Sequence, residues 1–475
     1  TKEKNKSVPD AKGGKAILGH ALDYQKDPPA FLLAQESSVG KIFRINLAGR
    51  RLIVIGSDKK AMKLVSSLPE KTLSARQAVA DIGFEYTLGK ANVFTGTDWH
   101  KRILKDEIIC GQKMKTYFVP KMAKELSSVM DKEMSSSAGT GMSRDTILIP
   151  DVFVLVRRCI LQAMVNVLIG SCIFLEDSKS KLVEEVMQFQ DRVEDATAKA
   201  AVLPRLIALP LVLWPCALAR KNLQQKLAKQ IVASQDTQTG WGPWLRVLNG
   251  NGAAPSEIAE LIIGLIFAAH KNPAIGASQS FCYLMESKSS KDLANARKEA
   301  KQLLSTNELT LPDLLRALTL RRCVLEATRL TAHTIGAIRL CCAPFDLETE
   351  DGKVYKIQAG ETLAISHIIP NTAPGDWGQH AWQYDPHRVE WEQLDKQKVA
   401  SPVNPFKMTS FSQGLHKCPG EQVALITMQI MLALLLDKNL SVPDTIPAVS
   451  FERATLAQRS GPVPVTFEIT TATSK

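Results

Sequence analysis

The chain of 475 residues contains nine cysteines but no Cys-x-x-Cys pair, and only Cys341 and Cys342 stand close in sequence. An odd count without paired spacing argues against a disulfide framework and against a four-ligand zinc site, so a reducing compartment is expected. No apolar run reaches the roughly 20 residues that span a bilayer. The most apolar stretch, Val202 to Ala219, is broken by three prolines and Arg205, and reads either as a membrane-dipping surface or as a buried connection. The formal net charge of +11 comes without a nucleic-acid motif of interleaved aromatics. Nucleic acid is thus the weakest reading of that charge, behind an acidic protein partner or an anionic membrane surface. Internal repeats are lacking, and the serine-rich patches near Ser135 and Ser287 read as loops.

What is present is a hydrophobic fraction of 45%, enough for a substantial core. Ile42 to Leu47 and Arg51 to Ile55, joined through Ala48-Gly49-Arg50, read as a hairpin, and further strands are predicted at Val354 to Ile365 and Val463 to Thr470. Between Trp99 and Leu340 the periodicity is helical, with helices predicted over Leu182 to Ala200, Ile258 to Leu284 and Leu311 to Leu330. Ser256 and Thr310 are the cap candidates of the last two. Strands from both ends bracketing long helices argue for one undivided unit.

Chemistry concentrates at Phe411-Ser412-Gln413-Gly414-Leu415-His416-Lys417-Cys418-Pro419-Gly420, directly before the apolar helical run Glu421 to Leu436. A cysteine near a helix N-terminus meets unpaired N–H groups and the positive end of the helix dipole, which favour its thiolate. Gly414 and Gly420 would let something large and flat approach the backbone. A heme bound through Cys418 is the expected occupant. The spacing Phe-x-x-Gly-x-His-x-Cys-x-Gly resembles the heme-binding loop of the cytochrome P-450 family.

That resemblance implies a mainly α fold with small β-sheets: a large helical lobe (mainly 99–340 and 420–440) and a small β-rich lobe (mainly 30–75 and 345–400) in one domain, residues 1–475. It implies heme b as cofactor, Cys418 as iron ligand, and Phe411, Gly414, His416 and Gly420 as cofactor-binding residues. Glu326-Ala327-Thr328-Arg329 matches the family's Glu-x-x-Arg, and Tyr384-Asp385-Pro386-His387-Arg388-Val389 matches the stretch that completes its structural triad. Arg388 is preferred over His387 for its bidentate reach to Glu326. Two propionates need cationic partners; the resemblance points to His416, Arg339 and Trp99. The family's Trp-x-x-x-Arg places its arginine where this chain has Ile103, so Arg102 is the nearest substitute. Microsomal members carry an N-terminal membrane anchor just before the point where this sequence begins and act on the cytoplasmic face of the endoplasmic reticulum, so the resemblance implies that location and a preceding anchor removed from this sequence.

Over the heme the family places Ala/Gly-Gly-x-Asp/Glu-Thr, an acid and an alcohol that relay protons; this chain has Phe267-Ala268-Ala269-His270-Lys271-Asn272-Pro273-Ala274. Lys271 and Asn272 then become the candidate catalytic residues, and Phe267, Ala268 and Ala269, with Phe84 and Phe94, line the substrate pocket. Lysine offers donors and no acceptor, while asparagine orients water but is a poor acid. Pro273 should kink the helix. The polar-then-Pro-Ala pattern, with Gly19 to Pro28 and Gly40-Lys41-Ile42-Phe43, resembles the subgroup of prostacyclin synthase and the bile-acid sterol hydroxylases. The leading expectation is a monomeric monooxygenase of secondary metabolism. It would oxidise a terpenoid, sterol, alkaloid or lipid with O2 and electrons from an NADPH-dependent reductase. A rearrangement enzyme needing neither, and a heme protein that carries or senses a lipid, are the alternatives.

Overall fold

The computed structural model describes residues 7–92, 94, 96, 98–137, 146–174, 179–203, 205–287, 290–397, 406–452 and 456–468. Alternating apolar residues form the hairpin of β1 (Ile42–Leu47) and β2 (Arg50–Ile55). Its two turn residues, Ala48 and Gly49, have φ of 51° and 95°. A two-residue loop matches the twist of an antiparallel ribbon when both residues are left-handed. Both faces of the hairpin are covered: Ile42, Ile53 and Ile55 join one apolar cluster, while Phe43, Ile45, Leu52 and Val54 join another.

The sheet continues with β3 (Leu73–Ser74), β4 (Gly336–Cys341) and β5 (Thr362–Ile365), in the order β1-β2-β5-β4-β3. Only the β2–β5 pairing is parallel. The sheet is drawn from distant parts of the sequence, but the predicted strand 354–365 is two: Val354–Ile357 pairs with Phe345–Glu348, and a turn at Gly360 (φ 90°) separates it from β5. Val465–Glu468 pairs with Thr146–Ile149, and residues 469–470 of that prediction lie outside the described residues. Thr146–Ile149 and β4 interrupt the stretch read as helical, and β4 falls outside the range expected of the β-rich lobe. Thr146–Ile149 is short, and the extended form of both is set by partners far away in sequence.

Six helices organise the site: α1 (Lys179–Val202), α2 (Trp214–Ala233), α3 (Pro255–Ala269), α4 (Lys271–Glu286), α5 (Leu318–Leu330) and α6 (Glu421–Asp437). The single helix expected over 258–284 is α3 plus α4, broken at His270 (φ −118°, ψ −42°). Pro273 has no N–H and its ring crowds the carbonyl four residues earlier, so the disruption falls at Ala269-His270 rather than at the proline itself. The helix expected over 311–330 is likewise Leu311–Arg316 followed by α5, parted at Ala317. Thr310 caps as expected, its N–H reaching the Asp313 carboxylate at 2.9 Å. Ser256 does not: α3 starts at Pro255, and the Ala254 N–H donates to Glu257 at 3.1 Å.

Among the described residues, three helical stretches are long and apolar enough to cross a membrane, which a search for unbroken apolar runs missed: Val152–Ile169, Arg205–Ala233 and Pro255–Glu286. The first and third have 72% of their residues buried in the protein, whereas Arg205–Ala233 has 22%. The apolar segment 202–219 is accordingly no buried connection. Ala208, Leu213 and Cys216 face inward, and Leu206, Leu211, Trp214 and Leu218 are 86, 66, 56 and 64% exposed.

Candidate active site

Gly420 caps α6, and Cys418 lies just before it. The Cys418 N–H donates to the Phe411 carbonyl at 2.8 Å, closing the loop on itself. Burial pushes the Cys418 thiol above its ordinary pKa, and the Gly420 N–H, donating to the sulfur, opposes that shift. Gly414 has a different task from the one expected. Its φ is 67°, and a Cβ there would collide with the Ser66 carbonyl oxygen, so its smallness lets the loop pack on the helix Lys59–Ser67. A Cβ at Gly420 would meet only the Cys418 sulfur, at 3.9 Å.

Which face of the central helix looks toward this loop follows from one contact. Gly276 of α4 packs against Met428 of α6, leaving no room for a side chain. Asn272 lies one turn before Gly276, and Ala268 one turn before that, on the same face. Both are exposed, although their neighbours Ile266, His270, Lys271 and Pro273 are buried. An opening therefore lies along this face beside the contact with α6, the helix that follows Cys418. Phe267 flanks it, with its ring 5.8 Å from Phe84 and 6.0 Å from Phe94, and those two 5.2 Å from each other. Ala269 is half-buried beside them.

Lys271 is corrected by the structure. Its ammonium is buried and turned to α1, where it meets Asp191 at 2.9 Å and Glu194. Arg157 also holds Asp191, at 2.9 Å. The lysine therefore does not stand beside Asn272 in the open space. His270 is fully buried, with Nδ1 3.0 Å from both Gln190 Nε2 and the Ile266 carbonyl. Burial first, and then the Arg157 charge, hold it down to a pKa of about 3.

Arg339 Nε and His416 Nε2 are buried polar atoms with no hydrogen-bond partner, and His416 Nε2 lies 3.6 Å from the Glu70 carboxylate. Burial pushes Arg339 down to about 10, opposed by the charge of Glu70. Burial and Arg339 lower His416, and Lys101 and Arg76 add to the same effect. Both of these bind Asp98, Arg76 at 2.9 Å and Lys101 at 3.3 Å. Arg102 points elsewhere, exposed and 5.8 Å above the half-buried Trp99 ring, and Ile103 sits in the core. A buried guanidinium and a buried imidazole, each with an unfilled N–H or ring nitrogen, near the Cys418 thiol fit a dianionic cofactor bound through sulfur. Arg76 and Lys101 were missed in the sequence because no local motif joins them.

Behind the loop lies a closed ionic cluster. Glu326 receives Arg329 in a fork (2.8 and 2.7 Å), Arg388 at 2.9 Å, the Trp391 indole at 3.1 Å and the Asp385 N–H at 3.1 Å. Arg329 donates further to the carbonyls of Asn371 and Ala381, and Arg388 to those of Trp377, His380 and Gln383. His387, the other candidate, instead reaches Asp292 at the surface at 2.8 Å. Asn371 connects this cluster to the cysteine loop. Its amide donates to the Arg329 carbonyl and to Ser410, and accepts from the Thr409 N–H. The half-buried Phe411 follows directly.

These features define a heme-thiolate protein. The chain belongs to the cytochrome P450 family, matching it over residues 9–463. It is 21% identical to an obtusifoliol 14-alpha demethylase of Triticum aestivum, covering 89% of this chain and 90% of that protein. It is 24% identical to a sterol 14-demethylase of Arabidopsis thaliana (91% and 86% covered) and 22% identical to a lanosterol 14-alpha demethylase of Mus musculus (91% and 81%). The resemblance to the prostacyclin synthase subgroup gives way to these sterol demethylases. As a family member the protein binds heme b and is a monooxygenase.

Proposed function

We propose that the protein oxidises a polycyclic sterol-like lipid, with electrons from an NADPH-dependent reductase. The observation that carries this is the open face of Ala268 and Asn272 beside the contact with α6, walled by the three rings of Phe84, Phe94 and Phe267. A cluster of three aromatic rings, with Phe267 edge to face to both Phe84 and Phe94, suits a flat, rigid hydrocarbon more than a flexible chain. The names of the relatives support the same class. Cys418 would hold the iron of heme b, Arg339 and His416 would face its propionates, and the bound group would supply the oxygen-activating redox chemistry. Asn272 is the one polar side chain of the acid–alcohol position that reaches the open space, and its amide orients water for proton delivery. With Lys271 committed to Asp191 and Glu194, the open face keeps an amide in place of the alcohol and no acid beside it, so any proton delivery relies on water held by Asn272. The exposed Leu206, Leu211, Trp214 and Leu218 rest on a membrane surface, from which a lipid substrate is drawn.

Reducing the purified protein under carbon monoxide should give the red-shifted Soret band of a carbonyl heme-thiolate. Sterols should then shift the resting spectrum and be converted only with reductase, NADPH and O2. Conversion without NADPH, or spectral shifts with fatty acids and none with sterols, would refute the proposal.

A further inference from the structure

Two segments that flank the open space meet at one buried carboxylate on α3, that of Glu260. Its Oε1 accepts from the Ala91 N–H at 2.7 Å. Its Oε2 accepts from Arg220 at 3.1 Å and from Gln224 at 3.3 Å, both on α2. Gln224 also donates to the Ser256 carbonyl in the first turn of α3, at 2.8 Å. Glu260 and Arg220 are only 16 and 10% exposed, so the pair is largely removed from water. Gly89, with φ of 93°, lies so close that any Cβ would overlap the Glu260 side chain. The fit of chain against carboxylate is therefore specific to glycine.

Glu260 and Phe267 are seven residues apart, two turns along one face of α3. Phe267 holds the rings of Phe84 and Phe94, while Glu260 holds the backbone between them. The Phe94 N–H is fixed in turn by Asn92 Oδ1 at 2.7 Å. On the other side, Gly83 packs under Leu213, immediately before α2. The same helix α2 exposes Trp214 and Leu218.

We propose that Glu260 is a positioning residue that locks the Phe84/Phe94 wall to α2, so that a lipophilic ligand enters and leaves only when this lock yields. The inference rests on the reading of those rings as the wall of the substrate space, and its test does not require a sterol. Phenylimidazole, which ligates heme iron whatever the natural substrate, serves as the probe in stopped-flow measurements on the holoenzyme.

Glu260→Ala should raise its dissociation rate roughly tenfold and speed amide exchange at 84–92 and 218–224, with heme content retained. Once a substrate is in hand, KM should rise more than kcat falls. Glu260→Gln keeps an acceptor for Ala91 but loses the charge facing Arg220, so it should restore slow exchange at 84–92 and leave 218–224 fast. If the alanine variant does not retain heme, the glutamine variant decides by that split. Glu286→Gln, which breaks the distant Glu286–Arg459 pair (2.5 Å), is the control for destabilisation alone and should leave exchange at 84–92 unchanged. Wild-type rates and exchange in the Glu260 variants, or equal changes in Glu286→Gln, would overturn the proposal. Altered phenylimidazole kinetics together with no sterol binding would keep the lock and discard the sterol reading.

Discussion

Two buried ionic clusters stand on opposite sides of the substrate space, and they are built on different terms. Glu326 and Arg329 are 0% exposed and Arg388 is 8%, and the carboxylate is gripped by two guanidiniums, an indole and a backbone N–H. Lys271 is as deeply placed, but its partner Asp191 is 47% exposed and is shared with Arg157. Planar guanidinium forks hold a carboxylate in one geometry, whereas an ammonium is a point charge on a flexible stem. The first cluster is closed to water and tied through Asn371 to the cysteine loop; the second reaches from solvent to the break between α3 and α4. Rigidity is thus concentrated on the side that holds the metal ligand, and adjustability on the side where substrate and protons arrive.

The sharpest way to break this contrast is to remove one partner from each cluster. Glu326→Ala leaves two guanidiniums buried without their anion, which should cost about 3–5 kcal/mol and abolish recovery of heme-loaded protein. Lys271→Met should cost less, roughly 1–3 kcal/mol, because Asp191 keeps Arg157 and water while Glu194 alone is stranded. Burial already raises the Glu194 pKa, and losing Lys271 should raise it further. The yield of heme-loaded protein and the urea midpoint of the apoprotein by intrinsic fluorescence check the first, and the urea midpoint by fluorescence checks the second. Equal losses in the two variants would erase the distinction.

Each side also contains one fully buried histidine, His270 at the helix break and His367 bonded to Thr409 at 2.9 Å ahead of the cysteine loop. Burial holds both at about 3. The folded state therefore keeps them neutral while the unfolded chain takes up protons below its ordinary value of about 6.5. Stability is full above pH 6.5 and falls on acidification toward pH 3, by about 1.4 kcal/mol per unit for each histidine. Thermal unfolding at pH 7 and pH 5.5 should show the loss, and His270→Gln and His367→Gln should each remove about half of the added slope. Retention of the full slope in either variant would place the titration elsewhere.

How much of this was legible in the sequence depends on whether the chemistry is local. Cys418, the glycines around it and the Glu326–Arg329 pair sit within one loop or one helical turn, so spacing alone announces them. Arg388 rather than His387 does meet Glu326, but through its Nε–H alone and not the expected bidentate fork, its other N–H groups going to backbone carbonyls. Arg76, Lys101, Asn371 and Glu260 come from segments far apart in sequence and have no motif to mark them. Short strands such as Gly336–Cys341 escape for the same reason, since their pairing lies elsewhere in the chain. The direction of Lys271 was hidden because its partners, Asp191 and Glu194, lie on α1 in a distant part of the sequence.

Asn272 is the smallest perturbation in energy and the most direct test of the adjustable side. It is exposed to the open space, so Asn272→Thr should change stability by no more than about 0.5 kcal/mol. The threonine hydroxyl can both accept and donate a proton along a hydrogen-bonded water, which an amide does poorly. The variant should therefore raise the ratio of product formed to NADPH consumed, with heme content and the carbonyl spectrum unchanged. Lys271→Met, acting on a group that points away, should move that ratio far less. A ratio that responds to Lys271 and ignores Asn272 would mean that protons reach the substrate space through the ionic cluster on α1 rather than across the face shared with Ala268.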